Sequence, residues 1–108
     1  MTAATGAAGH QEIRKTVECA LRPGPPPPYD ELVAQEQRLL LLIADLWMVV
    51  DRCPLRGAEN DQRKARMDAI RYQTAVGLGN GLVSAHRQVR ALARDCLWLL
   101  DQHSTAPH

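Results

Sequence analysis

Between Leu32 and Val50 the chain carries more apolar side chains than one face of a helix can hold, and no other stretch constrains the fold as strongly. Leu32, Leu39, Leu46 and Cys53 recur every seven residues, with Ile43 and Val50 in the complementary positions, which is the strip a helix turns toward its neighbours. Leu40, Leu41, Leu42, Trp47, Met48 and Val49 cover much of the remaining circumference. A helix apolar nearly all round is ordinarily buried nearly all round. A domain of this size hides only about 60–65% of the surface its unfolded chain exposes, so help from a second subunit, a partner or the N-terminal segment is expected.

The other elements are placed by punctuation. Residues 1–9 are rich in Ala, Gly and Thr with nothing large to bury, and are expected to be disordered. Ile13, Val17 and Leu21 recur every four residues, which predicts a short amphipathic helix over residues 10–21. Residues 22–28 hold five prolines and one glycine and form a stiff proline-rich linker. Asp30 is expected to cap the next helix, with Tyr29 stapled over Val33 or Ala34. That helix should run over about 31–52 and stop before Pro54, because the residue preceding a proline avoids the helical region. A second helix over about 60–76 has a weaker apolar face (Ala65, Met67, Ala69, Ile70, Ala75, Val76), and Arg63, Lys64, Arg66 and Arg71 are assigned to its solvent side. Gly77, Gly79 and Gly81 favour a break. A last helix over about 82–102 would bury Leu82, Ala85, Val89, Leu92, Cys96 and Leu99, leaving 104–108 as a tail. The expected fold is all-α: a three-helix bundle within a helical domain 29–103, carrying the short N-terminal helix on its linker. The alternative is a helix hairpin with one long kinked helix, since the apolar phase runs on through the glycines.

Composition excludes more than it proposes. The formal net charge is +1, so nothing global draws the chain to nucleic acid or to a membrane surface. Charge is instead divided by helix: five acids against one base from Asp30 to Asp51, and eight Lys or Arg against three acids from Arg56 to Arg94. Pairing between those helices is expected to set specificity more than stability. Three widely spaced cysteines make a poor disulfide framework, and with no secretory signal visible a cytoplasmic or nuclear location is expected. The apolar run is too short, and interrupted by Asp45, to span a bilayer.

Pro26, Pro27, Pro28 and Tyr29 fit the pattern Pro-Pro-x-Tyr, and this peptide resembles a ligand for WW domains. Such ligands occur in cellular adaptors and in viral budding or tegument-like proteins that recruit HECT-type ubiquitin ligases. The resemblance covers four residues and implies that Pro26 and Pro27 would lie in an aromatic groove, Tyr29 in a neighbouring pocket, and Leu32 against the domain in a following helical turn. A second candidate is an interaction surface on the long helix centred on Leu40, Trp47 and Met48, since Trp and Met are favoured at interfaces.

The remaining residues offer little chemistry. Arg87, Arg90 and Arg94 share one helical face but lack interleaved aromatics, so nucleic-acid binding is not expected. His10, His86, His103 and His108 form no metal-spaced pair, the glycines match no phosphate loop, and no catalytic set is visible. No cofactor or metal is expected. The chain reads as a non-enzymatic helical interaction subunit or scaffold, pairing coiled-coil fashion with itself or another protein, or as a docking adaptor for WW-domain proteins.

Overall fold

In the computed structural model, residues 2–53 and 57–105 are described, and they form four helices: α1 (Thr2–Leu21), α2 (Tyr29–Asp51), α3 (Gly57–Thr74) and α4 (Leu82–Thr105). The all-α class is as expected, but the N-terminal segment is a full helix of the bundle and not an appendage to three others. Val17 and Ala20 are buried, with Ile13 and Leu21 packed beside them. Of residues 1–9, expected to be disordered, residues 2–9 are helical because α1 begins at Thr2, and Met1 lies outside the described residues. Once Ile13 to Leu21 is docked, extending a helix backward through an alanine-rich segment adds a hydrogen bond per residue at low entropic cost. The expected tail is shortened as well, with α4 reaching Thr105 and residues 106–108 outside the described residues.

The helices run up, down, up and down. The edge-on contact of the His10 and His103 rings at 5.4 Å and the ion pair of Arg14 with Asp101 at 3.8 Å set α1 antiparallel to α4. Gln73 Nε2 donates to Gln88 Oε1 at 2.6 Å, and Arg66 pairs with Asp95 at 3.3 Å, which sets α3 antiparallel to α4. The most extensive contact is between α2 and α4. There the predicted strip of α2 (Leu32, Leu39, Ile43, Leu46, Val50) meets Ala85, Val89, Leu92, Cys96 and Leu99 of α4, all of them buried.

The loop between α3 and α4 is a true break, so the continuous-helix alternative does not hold. Gly77 and Gly79 sit at φ +81° and +77°, where L side chains are strained, and a Cβ on Gly79 would come within 2.9 Å of Ser84 Oγ. Ser84 Oγ in turn donates to the Leu78 carbonyl at 3.0 Å, tying the loop to the first turn of α4. Leu82, assigned to the buried side, is 41% exposed because this loop brings it in at the rim.

Two other expectations are corrected at helix ends. Asp30 does not cap α2; the cap position is Pro28, whose carbonyl accepts from the amides of Glu31 and Leu32, and Tyr29 is already helical. Proline's fixed φ and missing amide suit this boundary, while Asp30 and Glu31 face the positive helix end. At the other end α2 stops at Asp51, leaving Cys53 half-buried beyond the helix.

Arg63 is the largest departure. Expected on a solvent face, it is 5% exposed and donates from its guanidinium to the carbonyls of Val50 and Cys53 at the end of α2. Arg90 does the same for α1, reaching the Leu21 carbonyl at 3.1 Å. The last carbonyls of a helix have no partners within it and carry its negative pole, so a cation with several donors fits both places. The ion pairs among the described residues join α1 to α4 and α3 to α4, not the acids of α2 to the basic helices. The expected pairing by charge is therefore replaced by capping.

α3 is held mainly by polar contacts. Of its expected apolar face only Met67 and Ile70 are buried, whereas Ala65, Ala69, Ala75 and Val76 are exposed. In their place Trp47 Nε1 donates to the Met67 carbonyl at 3.0 Å, Arg71 stacks over Trp47 at 5.5 Å, and Arg66 stacks over Trp98 at 5.3 Å.

Candidate functional site

α2 buries one face so completely that its opposite face can be read residue by residue. Leu41 and Met48, two turns apart, are 71% and 52% exposed, and Ala34, Gln37 and Ala44 continue the same outward line. The spacing 34, 37, 41, 44, 48 alternates three and four, so these residues form a single line along the outer face of α2. Beside this line a groove of about 460 Å³ opens between α2 and α3, lined by Leu40, Ile43, Ala44, Trp47, Met48, Arg71 and Thr74. All three residues expected on the helix surface, Leu40, Trp47 and Met48, thus share one groove.

Their exposures differ, and that decides what each can offer. Leu40 is half-buried and Met48 is open, while Trp47 is half-buried with its N–H committed to α3. Sequence reasoning did not single out Leu41, although a helical wheel centred on Leu39 and Leu46 places it opposite the core. Arg71 and Thr74 could not have been assigned, since they belong to the groove only through the packing of α3.

The proline segment is divided. Pro26 and Pro27 are half-buried, and Pro28 has φ −55° and ψ 152°, the polyproline II geometry. Tyr29 is 39% exposed, and its hydroxyl donates to the Gly79 carbonyl at 2.7 Å, bridging the start of α2 to the loop before α4. Leu32 has no exposed surface and belongs to the core.

The basic edge of α4 is less unified than its spacing suggests. Arg87 and Arg94 are exposed beside Pro23, Gly24 and His86, but Arg90 between them is occupied by the end of α1. Asp45 is exposed on α2. Asp95, half-enclosed between α3 and α4, has its carboxyl raised above the usual carboxylate range by burial, against the opposing pull of Arg66. Cys96 is fully buried, and burial, with a smaller contribution from the Asp95 charge, pushes its thiol up to about 12. It is a protonated core residue with no nucleophilic character at neutral pH. Packing brings His10 and His103 together, which sequence spacing did not anticipate, yet among the described residues no three His, Cys, Asp or Glu side chains form a group that could hold a metal. No described helix is long and apolar enough to cross a membrane.

Fold and surface together define an up-down-up-down helical protein with an apolar seam and groove on its second helix. The chain belongs to the family of unknown function DUF6415, which matches residues 11–108. No curated protein and no solved structure matches it.

Proposed function

We propose that the chain is a non-enzymatic helical interaction subunit, which buries the outer line of α2 and the adjoining groove against another helix. The observation that carries this reading is the alignment of Leu41 and Met48 on a face completed by Ala34, Gln37 and Ala44, directly beside a groove lined largely by apolar residues. Single exposed leucines are ordinary, but an apolar line continuous with a groove is the form an interface takes. A photo-crosslinking amino acid in place of Leu41 tests it in cells making the full chain. A discrete cross-linked protein, lost when Met48→Glu is added, is the expected result, and irradiation that yields no such species overturns the reading.

A second reading is supported by the Pro28 geometry and the exposed Tyr29 ring: a docking adaptor whose Pro26 to Tyr29 peptide engages a WW domain. Docking would have to release the Tyr29 hydroxyl from Gly79, at a cost of about 0.5–1.5 kcal/mol. A panel of WW domains is expected to retain the wild-type chain and to lose Tyr29→Ala; equal retention of both removes this reading.

A further inference from the structure

We infer that the occupant of the α2 seam is a second copy of the same chain, with the two α2 helices antiparallel and Leu41 of each lying against the partner's Ala44. This rests on the preceding reading of the α2 face as an interface and adds who covers it, and in which register.

The inference comes from the two edges that flank the seam. Along one edge, Glu31, Arg38, Asp45 and Arg52 follow one another at strict seven-residue spacing and alternate in sign. All four are exposed, and none takes part in an ion pair among the described residues. Along the other edge, Leu40 and Trp47 repeat with the same period and border the groove. Among the described residues no ion pair within the subunit explains their order.

Pairing of two helices through such a seam sets edge against edge, and flanking charges choose orientation and register. In a parallel pair the charged edge of one helix would face the apolar edge of the other. In an antiparallel pair each edge faces its own counterpart, so charges meet charges and Leu40 meets the partner's Trp47 over the groove. With Leu41 against the partner's Ala44, Glu31 comes opposite the partner's Arg52 and Arg38 opposite the partner's Asp45. The two-fold axis then repeats both pairs. A slip of seven residues one way puts Asp45 against the partner's Asp45; a slip the other way puts Arg38 against the partner's Arg38. The sign alternation thus rewards one register and penalises its nearest competitors, while the apolar seam supplies the attraction.

Sedimentation and light scattering of the full chain at low salt, where exposed charge pairs are least screened, test this. The wild type is expected to dimerise. Arg38→Glu and Asp45→Arg, both at exposed positions, each place like charges opposite one another twice and should weaken the dimer roughly tenfold. An equimolar mixture of the two variants restores both pairs and should form a heterodimer as tight as the wild type. The double variant should also recover. A dimer indifferent to either substitution, or variants that do not rescue each other, overturns the antiparallel register. A wild type that stays monomeric while the Leu41 cross-link captures a protein of another mass overturns self-pairing and leaves the interaction reading standing. Absence of both dimer and cross-link removes the two together.

Discussion

Leu39→Ala is expected to destabilise the fold by about 2–5 kcal/mol, lowering the midpoint of thermal unfolding by on the order of 10–20 °C. Leu39 has no exposed surface and sits midway along the strip of α2 that faces α4, so its truncation removes apolar burial and leaves a cavity between the two helices in closest contact. Neither helix can move into that space without disturbing Leu32, two turns before, and Ile43, one turn after. Leu41→Ala removes the same atoms two residues along and is the internal control. Because Leu41 is 71% exposed, the substitution should change the stability of the monomer by less than about 0.5 kcal/mol. Denaturant unfolding at a concentration below dimerisation measures both. A loss under 1 kcal/mol at Leu39, or comparable losses at the two sites, would show that α2 is facing the wrong way.

Arg63→Ala should cost about 2–4 kcal/mol, more than any other substitution of a charged residue in the chain. Truncation leaves the Val50 and Cys53 carbonyls without their guanidinium donor where α2 ends, and opens a hole beside Met67. Arg63→Met separates these contributions, because it keeps most of the packed stem and removes only the donors. It should fall between wild type and alanine. Lys64→Ala, next along α3 but exposed, should be nearly neutral. Chemical denaturation of the three variants checks the order, and an Arg63→Ala protein as stable as the wild type would mean that the end of α2 needs no cap from α3.

The two substitutions also mark how far the fold can be read from sequence. Leu39 was legible because the strip it belongs to repeats at the helical period, and a periodic apolar strip has one physical use, to be turned inward. The same logic located α4, through Ala85, Val89, Leu92, Cys96 and Leu99. Arg63 was not legible: a charged residue in a polar helix is assigned to solvent on average, and only the arrival of a helix end beside it makes burial favourable. The contacts of Arg90 with the end of α1, and of Trp47 with Met67 and Arg71 of α3, escaped detection for the same reason.

The candidate site divides in the same way. Trp47, Met48 and Leu40 could be nominated because one helix carried too many apolar residues. Which of them would be open, which half-committed, and that Leu41 rather than Trp47 would be the most exposed, depended on where α3 came to rest. Sequence by itself determined the helical class, the inward strip of α2 and most of that of α4, and the boundary at the proline cluster, since these follow from local backbone preference and periodicity, while it left open whether the glycines break or kink a helix. Tertiary structure alone decided that α1 is a full member of the bundle, that arginines close the ends of α1 and α2, and which part of the apolar surplus stays outside. Those outcomes depend on contacts between residues far apart in the chain, whose energies no local pattern records.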